Sequence, residues 1–229
     1  MVGPFIFADV IGPEVLSPGS GIDVDAHPHI GISTLTYLFD GRIVHRDSTG
    51  AVQTIEHGAV NWMTAGSGVT HTERSHPDDL PATRGIHGLQ TWVALPDEAE
   101  ESEPSFHHVP ELEVPYETHG RSTVRVAAGS GWGLDSPVKG SSPLILAEVI
   151  LDASHPVPIA SEHAERSVIA LTGDVRVNHE QIESGQLVVL RTRRCIVSII
   201  SFRCSTQCHV RFIIGKNLRK SRGFSEGIN

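Results

Sequence analysis

Two short clusters of imidazole and carboxylate side chains carry the chemistry open to this chain. The first follows the spacing Gly21-x5-His27-x-His29-x11-Gly41, and the second is His71-Thr72-Glu73, just after Gly66-Ser67-Gly68. On a β-strand, residues two apart point to the same face, so each cluster aims two ligand atoms in one direction. Neighbouring strands lie about 4.8 Å apart and rise about 3.3 Å per residue, so four such side chains on adjacent strands can reach one ion. Three imidazoles and one carboxylate make a mixed nitrogen–oxygen set suited to iron, nickel, copper, manganese or zinc. The chain therefore reads first as a metal-binding β-barrel. The remaining histidines, among them His45, His57, His87 and the pair His107-His108, are expected to be surface or hydrogen-bonded residues, with His107-His108 in a solvated loop.

Such a site needs strands to hold it, and helical periodicity is scarce. Short runs rich in Val, Ile, Thr and Tyr alternate with Gly, Pro, Asp and Ser turns, the pattern of an all-β sandwich or barrel. Strands are expected at Thr34–Phe39, Arg42–His45, Ala51–Ile55, Ala59–Met63 and Gly88–Leu95, and again near Thr123–Ala127. Asp40-Gly41 reads as a hairpin, and Asp47-Ser-Thr-Gly50 as a turn whose glycine takes positive φ. The acidic stretch Asp97–Glu103 and the following Pro104–Pro115 read as a linker or a short helix crossing between domains. Trp62 and Trp92 are expected in core packing, and Phe5 and Phe7 at a cavity mouth.

The second half partly repeats the first. Tyr37-Leu-Phe-Asp-Gly41-Arg-Ile-Val is echoed by Ile169-Ala-Leu-Thr-Gly173-Asp-Val-Arg-Val, and Ile55-Glu-His-Gly58 by Ile182-Glu-Ser-Gly185. Two copies of one barrel motif follow, giving an all-β chain of two tandem jelly-roll-like barrels. The expected domains are 1–96 with the metal site, a crossover over 97–120, and a second barrel over 121–229. Counting from the matched glycines places Ile159, Ser161, Ser198 and Ile200 at the ligand positions of the second copy, so one metal is expected, in the first barrel.

A chain of 229 residues is long enough for one large β domain or two small ones. Its net charge of −9 argues against general nucleic-acid binding. The average hides an asymmetry: residues 191–229 hold nine Lys/Arg and one acid, Glu226, while residues 1–190 hold nine bases and 26 acids. All three cysteines, Cys195, Cys204 and Cys208, lie in that basic tail. They form no disulfide framework, and Cys204-x3-Cys208-His209 is at most half a zinc site without a second pair nearby. Lys216–Arg222 reads as a solvated tail with a weak nuclear-targeting pattern. No apolar run reaches the roughly 18 residues of a membrane helix, and the N-terminus lacks a cleavable leader pattern. A soluble cytoplasmic protein is expected, with a nuclear location open in a eukaryote.

The spacing around His27 and His29 resembles the first cupin motif, and Gly58…Gly68-x2-His71 the second, with Thr64-Ala-Gly in place of the usual proline-glycine step. The motif's own glutamate position is Thr34, so Glu73 has to supply the carboxylate. His27-Pro-His29-Ile-Gly31, Thr36-Tyr37-Leu-Phe-Asp-Gly41, His45-Arg-Asp-Ser48, Asn61-Trp-Met-Thr-Ala-Gly66-Ser-Gly68-Val-Thr-His71-Thr-Glu73 and Gly88-Leu-Gln-Thr-Trp-Val-Ala-Leu-Pro96 together resemble the pirin family, from about Gly3 to Leu190. The resemblance implies a bicupin fold with one metal held by His27, His29, His71 and Glu73. Iron(II) is the first candidate, with nickel, copper, manganese or zinc as alternatives. It further implies either a quercetin-type flavonol dioxygenase using O2, with Glu73 doubling as general base, or a non-enzymatic, redox-sensitive co-regulator that binds a transcription factor. Family proteins usually have about a strand and a half before the point where Met1 stands. After Leu190 the likeness fades, which predicts an imperfectly closed second barrel with exposed sheet edges.

Overall fold

The computed structural model describes residues 1–152, 155–159, 163, 165–178, 180–190, 197–201 and 208–215. The sequence expectations for Ser161, His179, Cys195, Cys204 and Lys216–Arg222 lie outside these residues, as do the side chains of Ser198, Ile200, Cys208 and His209.

Alternation builds the first half. The strand Val69–Ser75 buries Val69, His71, Glu73 and Ser75 and exposes Thr70 and Arg74, the period-two pattern of a strand with one face inward. In chain order the strands are β1 (Phe5–Leu16), β2 (Asp23–His29), β3 (Ile32–Asp40), β4 (Ile43–Asp47), β5 (Val52–Ile55), β6 (Val60–Thr64), β7 (Val69–Ser75), β8 (Arg84–Ala94) and β9 (Ser105–Val109). They form a sheet of order β1-β8-β3-β6-β9 and a second of order β2-β7-β4-β5, which together make one barrel.

The second half contains β10 (Tyr116–His119), β11 (Ser122–Gly131), β12 (Leu134–Asp135), β13 (Leu144–Leu151), β14 (Val157–Ile159) and β15 (Glu165–Thr172). It continues with β16 (Val175–Val177), β17 (Glu180–Ile182), β18 (Leu187–Leu190), β19 (Val197–Ser201) and β20 (Cys208–Gly215). The orders β10-β11-β13-β20-β15-β18 and β14-β19-β16-β17 repeat the core of the first barrel, with β13, β20, β15 and β18 in the places of β1, β8, β3 and β6; β10 and β11 extend one edge where the first barrel has β9 on the other. The sequence echoes fall on β3–β4 against β15–β16 and on β5–β6 against β17–β18. The chain is all-β, built as two tandem barrels.

Three local expectations change. Asp40-Gly41 is no hairpin, because β3 pairs with β6 and β8 while β4 pairs with β5 and β7. It is the corner where the chain crosses between sheets. Gly41 has φ +76 there, and a Cβ would meet Gly85 O at 2.6 Å. The true hairpin is the next turn, where the Asp47 and Gly50 amides close the loop between β4 and β5. The stretch after Pro96 is more ordered than a linker: it supplies β9 to the first barrel against β6, a short 3-10 turn at Glu111–Glu113, and β10 to the second. His107 and His108 therefore sit on a strand and not in a loop. In the second barrel β20 pairs with β13 on one side and β15 on the other, an interior strand of its sheet.

The two barrels share a core. Leu35 and Tyr37 of β3, Trp62 of β6, and Leu89 and Val93 of β8 point out of the first barrel and pack with Ala127, Leu144, Leu146, Ile169 and Leu171 of the second. Within this core the Tyr37 hydroxyl donates to Glu148 Oε2 at 2.7 Å. The barrel interiors differ. The second is filled with Val, Ile, Leu and Ala, including Val157, Ile159, Val177 and Ile199. The first has only small apolar clusters, one around Leu38, Ile43 and Ile86 and one around Met63 and Val69. Between them lies polar ground.

Candidate metal centre

Register on β7 decides what meets in that polar interior. β2 places His27 opposite His71, and β4 places His45 opposite Glu73 and Asp47 opposite His71. Cross-strand partners point to the same side of a sheet, so these side chains share the inward face of buried His71 and Glu73. A register shift between Val24 and His27 marks a bulge in β2, the device strands use to re-aim a side chain. Gly66, before β7, has φ +50 and a would-be Cβ only 2.0 Å from Ser102 O, so the tight turn that launches the strand requires glycine.

The structure brings His27, His29 and His71 together, with one potential ligand atom from each lying within 4.8 Å of the others. His29 Nε2 and His71 Nε2 are 3.1 Å apart. Two nitrogens bonded to one ion at about 2.1 Å and at right angles would stand about 3 Å apart, so this spacing fits a shared metal. Glu73 joins a second, overlapping group made of His45, His71 and Glu73, under the same 4.8 Å limit. His71 belongs to both.

Glu73 is anchored from the facing sheet. Gln90 Nε2 donates to Oε1 and Oε2 at 2.9 and 2.8 Å, and Thr36 Oγ1 donates to Oε1 at 3.3 Å. Thr36 and Gln90 are cross-strand partners on β3 and β8, which explains why they arrive together. A carboxylate has about four lone-pair positions, so it can keep these bonds and still offer one to an ion. Thr34, at the usual motif glutamate position, is buried two residues earlier on β3 and opposite Trp92.

Electrostatics favour neutral, ligating imidazoles. Burial first, then the neighbouring His45, His27 and His29, push the His71 ring down to about 3. Burial and His27 lower His29 as well. A neutral imidazole offers a lone pair, the form a metal needs.

Two residues near the site, Trp92 and Phe5, depart from the sequence expectation. Trp92 was expected in the core, but its register with Thr34 turns it inward, where it meets His29 edge-on at 5.2 Å. Trp62, on the outward face of β6, does pack in the shared core. Phe5 and Phe7 separate: a register shift between them puts Phe5 in the inter-barrel core and leaves Phe7, 44% exposed, against Trp92 at 4.5 Å. His45, expected as a surface or hydrogen-bonded residue, is hydrogen-bonded to Asp47 and His71, and its burial beside His71 and Glu73 gives it a place at the site that the sequence did not single out. The available signal was His45-x-Asp47, a third pair at the same one-residue strand spacing. In the second barrel, β14 pairs Ile159 with Val197 where β2 pairs His27 with His71. The equivalents of His71 and Glu73 are thus Val197 and Ile199, one residue before those given by counting, and Ile159 and Ile199 are apolar and buried.

Residues 1–93 match the family model described as Pirin. A pirin-like protein of Caulobacter vibrioides is 43% identical over 201 residues, covering 86% of this chain and 69% of the relative. A Pseudomonas aeruginosa protein, provisionally named a quercetin 2,3-dioxygenase, is 39% identical over 191 residues, covering 83% of this chain and 59% of the relative. The crystal structure of a quercetin 2,3-dioxygenase from Acinetobacter baumannii superposes with a TM-score of 0.85 at 31% identity, covering 96% of this chain and 71% of that one. The chain thus spans between about three-fifths and seven-tenths of these proteins' lengths. Among the described residues, no helix is long and apolar enough to cross a membrane.

Proposed function

This chain belongs to the pirin family, and we propose that it is a metal-dependent dioxygenase acting on a flavonol-like enol such as quercetin. The observation that carries the reading is the contrast between two barrels of one topology. One is packed with aliphatic side chains, and the other encloses His27, His29, His71 and Glu73. An apolar interior would stabilise the fold better, since burying polar groups costs free energy unless each finds a partner. A ligand set is what such an interior is for.

His27, His29, His71 and Glu73 would hold one divalent metal, with iron(II) as the first candidate and nickel, copper, manganese or zinc accepted by the same donors. When bound, the metal supplies the Lewis acidity that acidifies an enolic hydroxyl and the redox capacity that O2 chemistry needs. The protein's own groups do the rest. Glu73 accepts the hydroxyl proton at a carboxylate oxygen, while Gln90 and Thr36 fix the orientation of that carboxylate. Trp92 and Phe7 form an aromatic wall against which a flat ring system can lie, excluding water from the reacting edge.

Oxygen consumption tests this directly. Iron(II)-reconstituted protein is expected to take up oxygen when quercetin is added, and His71→Ala to take up none. A wild-type preparation that holds one metal per chain and consumes no oxygen would overturn the dioxygenase reading. The non-enzymatic regulator, with a transcription factor as partner, would then be the reading to test.

A further inference from the structure

Both ring nitrogens of His45 are engaged inside the protein. Nε2 lies 3.0 Å from Asp47 Oδ2, and Nδ1 lies 3.3 Å from Nδ1 of His71. The side chains of His45 and Asp47 are 3% and 0% exposed, and the His45 ring stacks on Phe106 at 4.6 Å, which holds its plane. At the far end of this line His71 turns its other nitrogen, Nε2, toward His29. Asp47, His45 and His71 therefore stand in series, with the ligand cluster after the last.

The direction of the protons follows from the first group. Oδ1 of Asp47 accepts from the Thr49 hydroxyl and from the Thr49 and Ala51 amides, while Oδ2 faces only His45, the bonding pattern of an ionised carboxylate. An ionised carboxylate only accepts, so Nε2–H of His45 donates to Oδ2. With one proton on each ring, Nδ1 of His45 carries a lone pair and accepts Nδ1–H of His71. His71 is left with its lone pair on Nε2, facing His29.

We propose that Asp47 and His45 are positioning residues that hold His71 in the Nδ1–H tautomer and so present its Nε2 to the metal. This rests on the metal reading above and adds the groups that orient one ligand. His45 and Glu73 also come within ligand distance of each other, but His45 has no ring nitrogen left to offer. Partners of a ligand's second nitrogen fix its tautomer and raise its basicity, and their loss typically weakens metal binding about 10- to 100-fold.

The other oxygen of Asp47 makes the idea sharply testable. Oδ1 accepts from the Thr49 amide at 2.9 Å, the Thr49 hydroxyl at 2.6 Å and the Ala51 amide at 3.2 Å. Asn at this position must keep its oxygen there, because all three partners are donors, so its amide nitrogen replaces Oδ2. The nitrogen then donates to His45 Nε2, His45 donates from Nδ1 to His71 Nδ1, and the His71 proton moves to Nε2. One isosteric change reverses every proton in the line.

The experiment uses the full chain, with zinc(II) as a diamagnetic probe. Long-range proton–nitrogen correlation spectra of the metal-free protein report the His71 tautomer, and chelator competition reports zinc affinity. Wild type is expected to show Nδ1–H, and Asp47→Asn to show Nε2–H with zinc bound about 10- to 100-fold more weakly and its melting transition retained. Nε2–H in wild type would overturn the proposal, and so would an unchanged tautomer and affinity in folded Asp47→Asn. Should that variant fail to fold, the wild-type tautomer alone decides. His71→Ala runs alongside: if it still binds zinc stoichiometrically, the metal reading itself fails, independently of the tautomer result.

Discussion

His71→Ala is expected to abolish stoichiometric metal binding while leaving a folded protein. His71 is the one residue common to both ligand groups, lies opposite His27 across the β2–β7 pair and brings its Nε2 to 3.1 Å from His29. Without it, His27 and His29 remain on one strand and Glu73 on the next, with nothing bridging them. The fold has other supports. β7 keeps its backbone pairing to β2 and β4, and the inter-barrel core does not include this strand. The cost to stability should stay within about 1 to 3 kcal/mol, the ordinary range for a buried substitution. Metal analysis per chain and a circular-dichroism melt read the two effects separately. Full metal content in the variant would show the ligand assignment to be wrong.

The second large effect concerns Glu73. Glu73→Gln keeps the shape of the side chain but removes its capacity to accept a proton. Turnover of quercetin is expected to fall by about 10²- to 10⁴-fold, the usual worth of a general base. Metal binding should weaken but persist at saturating iron(II), because the three imidazoles remain. Gln90 sharpens the experiment, since Gln90→Leu would free Glu73 to move while leaving a carboxylate that can still accept a proton. That variant should bind metal and lose part of its rate, by less than Glu73→Gln. Oxygen uptake at saturating metal distinguishes the cases. A Glu73→Gln variant turning over within a few-fold of wild type would remove the proton-accepting role.

The sequence made much of this legible because β-strands translate spacing into direction. His27-x-His29 and His71-x-Glu73 are side-chain pairs on single strands, so their common face could be read without any tertiary information. The internal echo around Gly41 and Gly173 likewise foretold two copies of one barrel motif, and Ile159, Ser161, Ser198 and Ile200 at the counted positions foretold a second copy without the ligand set. Features that depend on partners far along the chain were hidden. Gln90 reaches Glu73 only because β8 lies beside β3, a pairing between strands separated by the whole of β4 to β7. Asp40-Gly41 has hairpin chemistry, but the strands it joins belong to different sheets, and no local pattern says so. Bulges escaped as well. The shift between Phe5 and Phe7 sends two residues of equal parity to opposite faces, and a one-residue offset in the second barrel moved the position equivalent to Glu73 from Ile200 to Ile199.

His45 is hydrogen-bonded, as expected, but its link to the ligands was hidden. Its spacing to Asp47 was visible, but an Asp beside a His on a strand is common, and only the register placing both opposite β7 connects them to the ligands. The residue that orients a ligand is harder to read than the ligand, because its meaning depends on a contact and not on its own type.

The central claim is that one metal sits in the first barrel among His27, His29, His71 and Glu73. Anomalous diffraction from crystals of the iron-reconstituted protein, collected on either side of the iron absorption edge, tests it most directly. The account predicts a single iron peak per chain bonded to those four side chains, with His45 adjacent but uncoordinated. A peak ligated by His45, or one lying outside the first barrel, would contradict it.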